Sequence, residues 1–441
     1  MIKRLFLLST LTLLILLIYV QSGRSQELLS LEEAVSIGLE NNYNIQIYSN
    51  LQEIAENNYA LGNAGFLPDL SVTATMTERV EDSDFVAGGE ERSTEGARNS
   101  AKSAGLDLNW TLFDGFRMFR TYDRLGVLRD VSDEELQLEM EFLVARITLS
   151  YNNIIRINEQ LKTLQNNIEV SQERIEIEET KVDLGSGSEY DLLQARSDLN
   201  ADRAAFLRES NQLTEAKIVL NELLSRSPET EYDVESEIFI NRELLSEELY
   251  HKLIMENREL SIARMNKDLR RIELNEIRSE RFPEISLNTG YRYSRSENDG
   301  GFIRFNETTG FSIGLTARVN IFDGFNMNRR VENARINHKS AEISYEQNKL
   351  RLESDFYSIF RAYTNAIELV DLEEENLVNA EETLDIALER FRLGSISSLE
   401  FREAQRTFIQ AENRLINAKY EAKVAETELL QLSGELGKLF M

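Results

Sequence analysis

Hydrophobic and polar positions follow two different periods along this chain, and the switch between them occurs twice. From about residue 117 to 183 apolar side chains recur every seven residues, at Ile147, Ile154, Leu161, Ile168, Ile175 and Val182. A second stretch, about 188–225, places Leu192, Leu199, Phe206, Leu213 and Leu220 at the same spacing. Displaced by 209 residues, the stripes return as Phe356, Tyr363, Val370, Leu377, Leu384 and Phe391, then Phe401, Phe408, Leu415, Ala422 and Leu429. Sustained heptads predict helices that supercoil around one another. At 1.5 Å per residue the first span is on the order of 100 Å long. Gly185-Ser186-Gly187-Ser188 and Gly394-Ser395-Ile396-Ser397 predict turns at which each long helix reverses into the shorter one.

Ahead of each helical pair the period falls to two. Leu70, Val72, Ala74 and Met76 alternate with Ser71, Thr73, Thr75 and Thr77, and Leu106, Leu108, Trp110 and Leu112 with Asp107, Asn109 and Thr111. Further on, Ile285, Leu287, Tyr291 and Tyr293 alternate with Ser286, Asn288, Arg292 and Ser294. Phe311, Ile313, Leu315, Ala317, Val319 and Ile321 do so with Ser312, Thr316, Arg318 and Asn320. Strands of about ten residues follow, in hairpins over about 67–114 and 284–322, closed by polar loops at Glu78–Lys102 and Arg295–Thr309. Such alternation fits a strand with lipid on one face and water on the other. It fits a soluble hairpin with one buried face as well. Four strands are fewer than the roughly eight that close a barrel, and open edges do not survive in lipid. The membrane reading therefore needs several chains in one barrel, and three would supply twelve strands.

The two periods belong to an internal repeat. Leu112-Phe113-Asp114-Gly115-Phe116 recurs as Ile321-Phe322-Asp323-Gly324-Phe325, and Leu184-Gly185-Ser186 as Leu393-Gly394-Ser395, both displaced by 209. Phe66-Leu67-Pro68 answers Arg281-Phe282-Pro283, and Asn42 answers Asn257, both displaced by 215. Two copies then span 28–228 and 243–437, each with its strand hairpin and then its coiled-coil hairpin (about 117–225 and 326–436). Pro228 and the acidic stretch Glu229–Glu237 mark the join. Asp114 and Asp323 stand where a strand gives way to a long helix, so their carboxylates are expected to cap free backbone N–H groups. Gly115 and Gly324 permit the tight turn, and Pro68 and Pro283 start strands where a missing N–H costs least. Ser30 and Glu33 spell a capping box.

Composition narrows the function classes. The chain has 441 residues, three prolines, two histidines, no cysteine and a formal charge of −28. Without cysteine there is no disulfide, no thiolate metal site, no thiol nucleophile and no acylated N-terminal cysteine. His251 and His338 leave little for histidine chemistry, so no cofactor or metal is expected. Strong acidity disfavours nucleic acid. Lys3 and Arg4 followed by the apolar run Leu5–Val20 and small residues at Gly23 and Ser25 predict a signal peptide over 1–25. Runs such as Glu373-Glu374-Glu375 are expected as solvated helix faces.

One family carries these features in this order. Leu31-Glu32-Glu33-Ala34, Asn41-Asn42, Gly65-Phe66-Leu67-Pro68, the Leu-Phe-Asp-Gly motif, and Leu184-Gly185 followed by Tyr190-Asp191-Leu192-Leu193-Gln194-Ala195 resemble the TolC-like outer membrane efflux channels, the outer membrane factors. Tyr43 departs from that pattern, which usually has proline after the two asparagines. The resemblance implies an α+β membrane protein. It would be a homotrimer with a 12-stranded transmembrane β-barrel, four strands per chain, continued by a periplasmic α-helical coiled-coil tunnel. It also implies passive conduction of cargo delivered by an inner-membrane pump and a periplasmic adaptor, in efflux or type I secretion. On the matching positions it implies adaptor contacts at the tips, Leu184, Gly185 and Ser186 with Leu393, Gly394 and Ser395. It further implies a periplasmic gate ringed by Glu400 and Glu403, with Asp191 and Gln194 at the corresponding site of the first copy. The alternatives are a soluble periplasmic coiled-coil adaptor or structural protein, and an enzyme acting through carboxylates, for which no constellation stands out.

Overall fold

The computed structural model describes residues 27–300 and 303–439, so the expected signal peptide lies outside the described residues. The described residues fold as two compact units, each drawing on both halves of the sequence: those up to 49, 136–259 and from 349 on in one, 50–135 and those between 260 and 348 in the other.

In the first unit, α1 (Leu31–Asn41) starts at Ser30, whose Oγ accepts from the Glu33 N–H at 3.2 Å. Helix α3 (Arg117–Asp183) turns back into α4 (Glu189–Leu223), and α7 (Asn326–Arg392) into α8 (Ser398–Leu432). The heptad stripes are where these helices bury: Ile147, Ile154, Phe356, Val370, Phe391, Phe401, Ala422 and Leu429 are all within the core. Full burial of each large side chain stabilises by roughly 1.5–3 kcal/mol, which makes packing rather than propensity the main support of these helices. Gly38 fits tightly, because a Cβ there would lie 2.3 Å from Ile147 Cδ1. A short parallel pair also appears, β1 (Glu27–Leu29) with β4 (Tyr232–Val234). Tyr151 ties it down by donating to the Leu29 carbonyl at 2.8 Å and accepting from the Glu235 N–H at 3.1 Å. Strand β4 sits inside the acidic stretch expected only as a join; burial of Tyr232 and Val234 around exposed Asp233 is what makes it a strand.

The same geometry recurs at repeat-related positions. Asn42 donates to the Leu223 carbonyl at 2.9 Å and Asn257 to the Leu432 carbonyl at 3.0 Å. Phe116 and Phe325 share a positive φ, 67° and 64°, just after the Asp-Gly pairs.

The second unit holds a four-stranded antiparallel sheet in the order β2-β3-β5-β6. Its strands are β2 (Asp69–Ala87), β3 (Glu90–Phe113), β5 (Glu284–Asn298) and β6 (Phe305–Arg318). The first hairpin differs from expectation. Pairing runs without a long loop from Asp69↔Asn109 to Ala87↔Glu90, broken only by a bulge near Glu81–Ser83, so Glu78–Lys102 is strand rather than polar loop. Cross-strand polar pairs hold this extension: Arg98 donates to Glu78, and Asn99 Nδ2 to Glu81 at 2.8 Å. In the second hairpin β6 ends at Arg318, short of residue 322. This unit also holds α2 (Tyr43–Asn58) from residue 50 on and α6 (Arg258–Ser279) from residue 260 on, while α5 (Ser246–Glu256) belongs to the first unit. Among the described residues no helix is long and apolar enough to cross a membrane.

Candidate functional site: a free-edged sheet and two helical tips

Side chains directly opposite in an antiparallel ladder share a face. The pairings Val72↔Leu106, Leu106↔Tyr291 and Tyr291↔Phe311 therefore carry one apolar stripe across all four strands, and the separate pairs Leu70↔Leu108 and Leu287↔Leu315 extend the same face. Among the described residues, nothing covers that stripe. Met76 and Leu315 are 62% and 68% exposed, although a soluble hairpin would bury this face. The other face carries Thr73, Thr75, Asp107, Arg292 and Ser312, with Arg292 Nη2 on the Asp107 carboxylate at 3.0 and 3.1 Å. A contiguous exposed apolar band of this size needs lipid or another protein against it. Among the described residues, the outer edges of β2 and β6 are unpaired.

Pro68 and Pro283 each immediately precede a strand. At the strand-to-helix turns, Asp114 accepts from the Met118 N–H at 2.9 and 3.2 Å, and Asp323 from the Met327 N–H at 2.7 Å. Both satisfy a free donor of the following helix. Gly115 has φ +73°, and a Cβ on it would fall 2.3 Å from the Ser279 carbonyl oxygen. Gly324 has φ +68°, with Asn326 Nδ2 at 3.8 Å as the nearest atom to such a Cβ.

The two tips use one turn. The Gly185 and Gly394 φ values are both +70°. The Ser186 N–H bonds the Lys181 carbonyl, and the Ser395 N–H the Arg390 carbonyl, each at 2.9 Å, which satisfies the last carbonyls of the helix. Leu184 and Leu393 project into solvent. Glu403 is exposed, and so is Glu400, but the Glu400 carboxylate is engaged. Its Oε2 accepts from the Ser397 N–H and hydroxyl, both at 2.8 Å, closing a capping box at the start of α8. Those bonds hold the Glu400 carboxyl below the usual carboxylate range. Gln194 donates to Asp198 on its own helix at 3.2 Å, and Asp191 lies in the first turn of α4.

Behind the tips lies a buried polar belt with no counterpart in the sequence-based expectations. Arg174 on α3 is only 2% exposed, donating to Asp198 of α4 at 2.7 Å and to Ser398 of α8 at 2.9 Å. Arg402 of α8 grips Asp202 of α4 with both Nη atoms, at 2.8 and 3.0 Å, and Ser171 donates to the same carboxylate at 2.7 Å. Gln405 completes it, reaching Asn167 Oδ1 at 2.6 Å and Ser171 at 3.0 Å. Below this belt Phe391 and Phe401 stack at 4.9 Å, with the Lys181 ammonium 3.7 Å above the Phe391 ring. One signal was available: Asn167 and Arg174 stand seven apart beside the apolar stripe, at positions facing a neighbouring helix. Glu373, expected as a solvated charge, is likewise buried, with both oxygens 3.0 Å from Arg414 Nε.

The family profile of the outer membrane efflux proteins matches the chain twice, over residues 35–226 and 249–435. TolC of Vibrio cholerae is 22% identical over 317 residues, covering 70% of this chain and 71% of its own length. PrtF of Dickeya chrysanthemi, a proteases secretion protein, is 20% identical over 428 residues, 95% of this chain and 90% of its own length. The crystal structure of the outer membrane protein VceC from Vibrio cholerae superposes with a TM-score of 0.76 at 15% identity, over 92% of this chain and 96% of that one. With the exposed apolar sheet, the paired helical hairpins and both halves matched, this chain belongs to the outer membrane efflux protein family.

Proposed function

We propose that the protein is the outer-membrane channel of a tripartite export system and that three copies form it. Each would add four strands to a twelve-stranded barrel, with the coiled-coil hairpins continuing as a tunnel through the periplasm. The observation that carries this is the sheet, apolar and uncovered on one face, polar on the other, with both edges free. Lipid satisfies the face, and only strands of further copies satisfy the edges. The two profile matches support a division into structural repeats over 28–228 and 243–437, and the basic start and apolar run of residues 1–25 fit a signal peptide. Conduction is passive, with energy and cargo choice residing in an inner-membrane pump. The exposed leucines beside Gly185-Ser186 and Gly394-Ser395 are where a periplasmic adaptor would seat. Glu403 is the free carboxylate at the tunnel mouth, with Glu400 beside it pinned as a cap and Asp191 and Gln194 at the first tip. The family assignment favours the channel over the soluble adaptor or spacer and over an enzyme.

Fractionation with gel analysis tests the proposal. The protein is expected in the outer-membrane fraction as a species of three chains that dissociates on heating in detergent. Release with soluble periplasm, or a single chain in the unheated membrane extract, would refute it.

A further inference from the structure

The chain contains a template for its own subunit junction. Strand β3 from the first copy of the motif set pairs with β5 from the second, in the register Asn109↔Asn288, Asp107↔Gly290, Gly105↔Arg292, Ser103↔Ser294. Strand β6 is the counterpart of β3, displaced by 209, and β2 the counterpart of β5, displaced by 215. Those two are the free edges of the sheet, and they run in opposite directions, as an antiparallel ladder requires.

Resting on the trimer reading above, we propose that β6 pairs with β2 of the next copy in the register copied from β3 and β5. This sets Arg318 opposite Thr73, Thr316 opposite Thr75, Gly314 opposite Thr77 and Ser312 opposite Arg79 of the next copy. Two observations support it beyond the offsets. The first is parity. The copied register brings Leu315 against Met76, Phe311 against Val80 and Ala317 against Ala74, apolar to apolar on the face that is uncovered. A slip of one residue would set the apolar row of one strand against the polar row of the other. The second is the pair of turn glycines. Gly115 is crowded by Ser279 and Phe282 of the opposing copy of the motif set, with room for no side chain. Gly324 has a similar positive φ and no such neighbour among the described residues of its own chain. Subtracting 215 from Ser279 and Phe282 gives Ala64 and Leu67 as the residues of the next copy that close over Gly324.

Disulfide trapping reads the register directly, since the chain has no cysteine of its own. Residues opposite across a ladder have Cα atoms about 4.5–5.5 Å apart, within disulfide range, whereas diagonal neighbours stand at about 7–8 Å. In the full-length protein in outer membranes, Thr316→Cys with Thr75→Cys should oxidise to a reducible covalent trimer. Thr316→Cys with Thr73→Cys or with Thr77→Cys should not. Ser103→Cys with Ser294→Cys serves as the control within one chain. Preferential trapping by either slipped pair would overturn the register and leave the trimer standing. A wild-type protein in which amine-directed cross-linking yields no trimer would overturn both. As a second readout, Gly324→Ala should lower the trimer yield at least tenfold relative to Gly394→Ala, which has the same φ but open space around it. Equal yields would contradict the closure over Gly324.

Discussion

Breaking the belt behind the tips should loosen the hairpins without unfolding the rest of the protein. The test substitution is Asp202→Ala. Asp202 and Arg402 have side chains only 10% and 15% exposed, and they meet through two charge-assisted hydrogen bonds, with Ser171 on the same carboxylate. Removing one member of a fully buried pair costs about 3–5 kcal/mol, because the other is left charged and unpaired. Residual exposure and the nearby Asp198, 3.9 Å from Arg402 Nε, bring the figure to about 2 kcal/mol here. Local opening of α4 and α8 near the tips should then rise about 30-fold, each 1.4 kcal/mol being worth a factor of ten. Amide hydrogen exchange on the purified protein reads this at residues 195–210 and 398–412, with the β3 and β5 amides as internal reference. Asp202→Leu combined with Arg402→Leu should recover most of the loss, since no charge is then stranded. A change below threefold at the tips, or an equal acceleration in the sheet, would refute the assignment of the belt as the clasp between hairpins.

Three further outcomes follow from particular contacts. Gly115→Ala drives a Cβ to 2.3 Å from a backbone oxygen at positive φ and should prevent accumulation of folded protein in the outer membrane. Gly185→Ala, with the same φ sign and nothing within 4 Å, should cost only about 1 kcal/mol and assemble normally by heat-modifiability on gels. Glu412 is pushed up from its ordinary value of 4.5, first by burial and then by Glu159 and Glu381 nearby. Its folded form therefore holds the proton more tightly than its unfolded form. Stability from this group is present below pH 4.5 and lost as pH rises through the raised value. Melting curves should show Glu412→Gln gaining on the wild type as pH climbs from 4.5 to 7.5, and a gap independent of pH would contradict this. Glu403→Gln should raise single-channel conductance and weaken cation selectivity, and Glu400→Gln should do so less, because its carboxylate is already committed to Ser397. Equal effects of the two would dismiss the distinction.

Elements whose pattern repeats were legible in the sequence. The heptads located α3, α4, α7 and α8, and the Asp-Gly turns appear where their motif stands. Patterns that lose contrast were not. Residues Glu78–Lys102 looked like a loop because both faces turn polar, yet backbone pairing continues there regardless of side chain, with Glu78–Arg98 bridging the strands. Arg174, Asp202 and Glu373, the last expected as a solvated charge, are buried because each meets an opposite charge from another helix, and no local pattern encodes that meeting. Glu400 is the instructive case. Ser397-Ser398-Leu399-Glu400 spells the same capping signature as Ser30–Glu33, so its carboxylate could have been assigned to its own helix from the spacing alone.

A passive pore built by several copies of this chain should be visible in single-channel recording of the purified protein in a planar lipid bilayer. Discrete, uniform conductance steps are expected under voltage alone, without nucleotide, proton gradient or partner proteins, and with preference for cations. Stable insertion without any conductance, or steps that scatter like transient lipid defects, would contradict it.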